Sequence, residues 1–244
     1  MMPFDMHAII AALKDHPDDQ TLSRDISGEH PEVTSVLLDF VTRRPYLGHV
    51  APALLRVTCA LVRCYNRNGT FFICGNGGSY ADSLHIAGEL LKSFEKNRSL
   101  TAEQKEVFLG LDDGTVLAAY LEQGLRAYVL GNSGPLATAV QNDNKLRDIQ
   151  FAQDLYAMAR PGDVLMAIST SGNAKNVYYA LQVGKALGLT TISLTGEKGG
   201  KAAGIADIAI KAPGTVTKYV QEEHFPIYHA LCAMVEAYYF PKPR

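Results

Sequence analysis

His85 and Glu89 stand four residues apart, a spacing that puts an imidazole and a carboxylate on one face of a helix. Towards the other end of the chain, Gln221 and His229 are eight positions apart. At about 100° per residue they fall about 80° from one another and share one side of a helix. Imidazoles and carboxylates are general acids and bases, and two imidazoles with a carboxylate are ordinary zinc ligands. A lone histidine in an amphipathic helix is usually structural. His224, about 60° from Gln221 in the other direction, is assigned no catalytic role.

The elements that must position these groups begin with Phe71-Phe-Ile-Cys74, an apolar run that breaks into Gly75-Asn-Gly-Gly-Ser79 just before the segment carrying His85. The pattern predicts strand, tight turn, helix. Glycines let the backbone fold close to a ligand, and the following helix N-terminus offers free N–H groups and partial positive charge to an anion. The arrangement recurs. Arg126–Leu130 leads into Gly131-Asn-Ser-Gly-Pro135, Val164–Ile168 into Ser169-Thr-Ser-Gly-Asn173, and Leu189–Leu194 into Thr195-Gly-Glu-Lys-Gly-Gly200. Helical patterns follow the first two of these loops over 136–142 and 174–186. Alternating strands and helices predict βαβ units on a parallel sheet, with ligands bound outside the carboxyl ends of the strands.

Of the 244 residues, 47% are hydrophobic and 20% charged, which argues against disorder, and a net charge of −2 gives no electrostatic case for nucleic acid or an anionic membrane. No apolar run is read as approaching the ~18–20 residues of a membrane span. Four cysteines without CxxC spacing read as buried free thiols, and the expected location is the cytoplasm.

Before residue 70 the pattern predicts a short helix over 6–13, an exposed loop from Asp15 to Pro31, and helices over 32–42 and 50–66 separated by Pro45 and Gly48. The wide apolar face from Val50 to Tyr65 and that of the last helix (Ile227, Leu231, Met234, Val235) exceed what one sheet needs to cover. They predict an oligomer. The last helix either begins around 222–225 or is kinked there by Pro226. The polar, helix-prone segment 95–123 is a lid, an oligomer contact or a surface excursion.

Five ordered motifs carry a resemblance that covers the chain from about residue 50 onward. They are Cys74-Gly-Asn-Gly-Gly-Ser79 with His85 and Glu89, Thr138-Ala-Val-Gln-Asn-Asp143, Ile168-Ser-Thr-Ser-Gly-Asn173, Leu194-Thr-Gly-Glu-Lys-Gly-Gly200, and Gln221-Glu-Glu-His224 with His229. Together they resemble the sugar isomerase (SIS) domain family, and within it the isomerases of sedoheptulose 7-phosphate. The resemblance implies an α/β/α sandwich of three layers around a five-stranded parallel sheet over 49–244. Residues 1–48 would be a helical extension, and 95–122 a helical excursion. It implies a homotetramer with active sites shared between subunits.

By position, the resemblance makes Ser79, Ser169, Thr170 and Ser171 phosphate-binding hydroxyls beside the backbone of Gly77 and Gly78. Asn76, Asp143 and Gln221 would contact the sugar. His85, Glu89, Gln221 and His229 match a zinc site, with Glu89 and His229 the catalytic base and acid; no nucleotide or redox cofactor is implied. The reaction would convert sedoheptulose 7-phosphate to D-glycero-D-manno-heptose 7-phosphate through an enediol(ate), the first step of nucleotide-activated heptose synthesis. Two departures bear on substrate recognition. Ala174 stands where isomerases often have a further phosphate-contacting serine, and Lys218 where some members carry an aspartate. The alternatives within the fold are a non-catalytic protein that binds the bacterial replication initiator, and an isomerase or sensor for another phosphosugar.

Overall fold

The computed structural model describes residues 5–241. The chain starts with three helices, α1 (Met6–Ala11), α2 (Pro17–Glu29) and α3 (Pro31–Arg43), then a 3₁₀ turn (Pro45–Val50) that runs into α4 (Ala51–Tyr65). Next come β1 (Phe71–Gly75), α5 (Gly78–Leu91), α6 (Ala102–Glu106), α7 (Gly114–Tyr120), β2 (Ala127–Val129), α8 (Gly134–Asp143) and α9 (Gln150–Met158). The rest is β3 (Val164–Ser169), α10 (Lys175–Ala186), β4 (Thr190–Thr195), α11 (Gly200–Ile205), β5 (Ile208–Lys211) and α12 (Thr217–Tyr239).

The five strands form one sheet in the order β2-β1-β3-β4-β5, with every neighbouring pair parallel. Both faces of such a sheet are covered, so β1 and β3 are apolar and buried along their whole length. Alternate side chains serve opposite cores. Phe71, Ile73, Val164, Met166 and Ile168 face the layer of α1–α5 and α12, whereas Phe72, Cys74, Leu165 and Ala167 face α9–α11. The result is a sandwich of three layers. The chain leaves β1 for β2 on one side and returns to β3 on the other, so strand order reverses between β1 and β3. That is where an open parallel sheet leaves its ligand crevice.

Three expectations need correction. Residues 17–29 are helical, not an exposed loop: Pro17 sits in the first turn with Asp18 and Asp19, both helix-start signals, and Ser23 and Ile26 turn inward. Asp19 holds α2 to α4 through Arg56 at 2.8 Å and Arg63 at 2.5 Å, pairs too distant in sequence to read. The stretch Pro45–Tyr65 spans 21 residues with a mean hydropathy of 1.3, enough by length and composition to cross a membrane where no such run was expected; most of it is buried as a core helix. Finally, the apolar faces read as an oligomer contact are covered within one chain. Leu54, Leu55, Leu61, Ile227, Leu231 and Met234 join α1–α3 in one core.

The last helix begins at Thr217 and runs without a break through Pro226. Segment 95–122 carries α6 and α7 and leaves Val107, Leu109, Leu111, Val116 and Tyr120 more than half exposed. Its base is tied down by the Ser99–Glu122 bridge and by Gln123 N donating to Arg98 O at 2.7 Å. All four cysteines are free and buried, and burial pushes the Cys59 thiol up to about 11 and Cys74 to about 12, which makes both inert.

Candidate active site

The anion-binding end is built from backbone. After β1 the chain turns at Gly77, whose φ of 55° and ψ of −119° suit only glycine. The loop after β3 crosses the loop after β4 so closely that a Cβ on Gly172, at φ 66°, would lie 1.9 Å from the Gly199 carbonyl oxygen. Gly196 N donates to Thr170 O and Ala202 N to Gly172 O, both at 2.9 Å, which locks the two loops together. Asn76 and Asn176 exchange amide hydrogen bonds of 2.8 Å in both directions and tie the β1 loop to α10 across the strand-order switch.

Helices α5 and α10 both start here with no bond from the N-cap side chain; Ser79 N and Tyr80 N donate to the carbonyls of Asn76 and Gly77 and Val177 N to Asn176 Oδ1, all at 3.0 Å, and the partial positive charge of the two helix starts favours an anion between them. The N-cap of α10 is Ala174, so the Ser169-Thr170-Ser171 run is not that helix's cap. Ser79 and Ser169 are buried, Thr170 half-buried and Ser171 exposed.

Farther along α5 lies a cluster of side chains. His85 Nε2 is 2.9 Å from Glu89 Oε1 and 3.4 Å from His229 Nε2. One ligand atom each from His85, Glu89 and His229 can be chosen so that none is more than 4.8 Å from another. His85 Nδ1 lies 3.1 Å from Tyr228 Oη, and Tyr228 donates to Asp82 Oδ1 at 3.5 Å. With the Tyr228 O–H directed at Asp82, His85 Nδ1–H donates to the phenol oxygen. The Nε2 lone pair then turns toward Glu89 and His229. Three electron-rich atoms converge, and only a proton or a metal ion makes that convergence favourable.

Zinc ligands sit about 2 Å from their ion and so no more than about 4 Å apart. The pairs at 2.9 and 3.4 Å meet that limit, and all three atoms lie within 4.8 Å of one another. The His229 ring packs on Phe225 at 4.1 Å and faces Phe94 at 5.6 Å. Burial, with His85 and Arg44 nearby, holds its pKa below the ordinary histidine value and opposes the pull of Glu89. The lowered pKa favours the neutral ring, the form that a metal ligand requires.

Two sets of relatives match the chain, one by sequence and one by fold. A Rhodospirillum rubrum phosphoheptose isomerase is 35% identical over 190 residues, 78% of this chain and 88% of its own length. The chain belongs to the phosphoheptose isomerase family. Residues 117–196 match the SIS domain. The structure of phosphoheptose isomerase from Neisseria gonorrhoeae superposes with a TM-score of 0.62 at 26% identity, covering 88% of this chain and 99% of that one. The Francisella tularensis phosphoheptose isomerase gives 0.63 at 26% identity, with coverage of 87% and 96%.

Not every residue singled out from the family pattern joins the cluster. Gln221 lies against Gly78 at the start of α5, where a Cβ on that glycine would come within 2.3 Å of its amide nitrogen. That is seven residues, about two helical turns, before His85. Asp143 is exposed at the end of α8 and accepts from Asn142 Nδ2 at 2.8 Å. His224 is fully buried, and its ring nitrogens have no hydrogen-bond partner among the described residues. Burial drives its pKa down to about 4, and the Thr195 backbone offsets only part of this. Asp82, Tyr228 and Asn176 escaped the sequence reading, although Asp82 precedes His85 by three residues, so helix spacing offered a signal for it.

Proposed function

We propose that this protein is an aldose–ketose isomerase acting on sedoheptulose 7-phosphate to give D-glycero-D-manno-heptose 7-phosphate. The observation that carries the reading is the meeting of His85, Glu89 and His229 on the helix that starts at the β1 loop. About 9 Å of α5 separates Ser79 from His85, room for an open-chain sugar phosphate with its ends at different sites. Membership of the phosphoheptose isomerase family supports the same substrate.

In this reading the β1 and β3 loops, with Ser79, Ser169, Thr170 and Ser171, hold the phosphate and orient the chain. Asn76 in the β1 loop and Gln221 against Gly78 face the sugar next to its phosphate, and Asp143 contacts it from α8. Glu89 takes the C1 proton of the ketose and returns a proton to C2, while His229 gives a proton to the C2 carbonyl oxygen as charge builds there and recovers one from the C1 hydroxyl as the aldehyde forms. Tyr228 and Asp82 keep His85 in one tautomer. Zinc held by His85, Glu89 and His229 would polarise the carbonyl and stabilise the developing negative charge.

The assembly proposed is a homotetramer. Leu84, Leu91, Tyr219 and Phe225 leave much apolar surface exposed on α5 and α12, the helices that carry the triad, where a second subunit would complete the site. Light scattering should then report four times the 26.5 kDa chain mass, and a monomer at micromolar concentration would refute the assembly. The activity is tested by incubating the protein with sedoheptulose 7-phosphate and following product by NMR. A new aldose 7-phosphate supports the reading. Binding without turnover, with zinc supplied, would instead favour a sensor or a protein-binding scaffold.

A further inference from the structure

In the segment that follows α5, Arg98 forms a fully buried ion pair with Glu236 of α12. Arg98 Nε donates to Glu236 Oε1 at 2.7 Å, and neither side chain is exposed at all. The other two guanidinium nitrogens donate to the carbonyls of Leu90 at 2.8 Å and Glu89 at 3.1 Å. Those carbonyls belong to the last turn of α5, whose capping residue Lys92 is extended and closes no backbone hydrogen bond. Arg98 therefore supplies a donor to the Glu89 carbonyl, a second donor to the Leu90 carbonyl beside Leu125 N at 2.9 Å, and a cation where the helix dipole favours one. Glu236 accepts in turn from the backbone N–H groups of Phe94 at 2.9 Å and Glu95 at 2.8 Å. It lies seven residues after His229 and on the same side of α12.

A buried ion pair seldom adds net stability over apolar packing of the same shape, because desolvating both charges offsets their attraction. What it can fix is geometry. One planar guanidinium here engages a carboxylate and two carbonyls at once, which neither an apolar contact nor a lysine can reproduce. The pair joins the end of the helix bearing His85 and Glu89 to the helix bearing His229. It also seats Phe94 against the His229 ring.

We infer that Arg98 and Glu236 are positioning residues that set the register of α5 against α12, and with it the separation of the triad's ligand atoms. The inference rests on the proposed role of that triad. It requires no contact between the pair and the substrate.

The test compares Arg98→Lys and Glu236→Gln with Asp19→Asn, which breaks an ion pair whose partners are on α4. Three quantities are measured: Zn²⁺ affinity of the metal-free protein, kcat and KM with sedoheptulose 7-phosphate, and the His85–His229 separation in a crystal structure. Positioning predicts Zn²⁺ binding weaker by about tenfold or more and kcat down by a similar factor, as for other residues supporting metal ligands. KM should stay within about threefold, since the phosphate loops are untouched, and the 3.4 Å separation should widen. Asp19→Asn should lower Tm while leaving Zn²⁺ affinity and kcat within about twofold.

If neither single variant folds, the Arg98→Met/Glu236→Leu double variant leaves no unpaired buried charge and is read the same way. Variants that lose only Tm, with Zn²⁺ affinity, kcat and separation like those of Asp19→Asn, would overturn the inference. Failure of the unaltered protein to isomerise the sugar would refute the proposed function instead, with Zn²⁺ affinity and separation still reporting on the pair.

Discussion

At the loop end of the site, Gly77 at φ 55° makes a turn that side-chain-bearing residues avoid, and Gly172 at φ 66° lets two backbone segments approach where no side chain fits. At the triad end, three side chains from two helices converge within 4.8 Å, held by a tyrosine, an aspartate and the packing of α5 on α12. The first end is specified locally, by glycines and hydroxyls a few residues apart. The second depends on partners 143–144 positions apart, as in the contacts of His85 with Tyr228 and His229. The division suits an enzyme that grips a phosphate identically in ground and transition states and concentrates changing interactions at the reacting carbons.

Substitutions should separate the two ends kinetically. Glu89→Gln and His229→Ala should each lower kcat by roughly 10²–10⁴, the usual worth of a positioned acid or base. KM should move little in the Glu89 variant, and steady-state kinetics with sedoheptulose 7-phosphate checks both. Gly172→Ala attacks the other end. Its Cβ would collide with the Gly199 carbonyl in a left-handed conformation, at a cost of at least 1–3 kcal/mol from backbone strain alone. Phosphate affinity should fall by more than about tenfold while Zn²⁺ affinity of the triad is kept, as calorimetry with inorganic phosphate and with Zn²⁺ would show.

His224 gives a pH test that belongs to neither end. Its pKa of about 4 in the folded chain lies below the ordinary value of about 6.5, so the unfolded chain binds the proton more tightly. The stabilisation is complete above pH 6.5 and is lost as pH falls toward 4, about 3 kcal/mol across that window. Denaturant melts at pH 7 and pH 4.5 should show the decline, and His224→Asn should flatten it. The smallest expected effect is that of Ser79→Ala. One hydroxyl among several phosphate donors is worth about 1 kcal/mol, so KM should rise about fivefold with kcat nearly unchanged.

What was legible in the sequence follows the same division. Apolar runs ending in Gly/Ser loops gave four of the five strands and the crevice. Ile208–Lys211 is too short and too mixed to register alone. His85 and Glu89 were legible because helical spacing is fixed. Helix α2 was missed because its polar sequence hides two inward-facing positions whose partners lie on α4. The Arg98–Glu236 pair was invisible for the same reason, 138 residues separating the two. His224, assigned no catalytic role from the sequence, is fully buried, so replacing it with alanine would test packing as much as chemistry.

The central claim, proton transfer at the triad on a substrate held by the loops, is tested most directly in deuterium oxide. Sedoheptulose 7-phosphate turned over by the protein with Zn²⁺ should yield an aldose 7-phosphate carrying deuterium at C2, since the proton delivered there passes through Glu89 and exchanges with solvent. Glu89→Gln should form this product at least about 10² times more slowly. Turnover that leaves C2 free of deuterium, or a Glu89→Gln protein that labels C2 at the unaltered rate, would contradict the account.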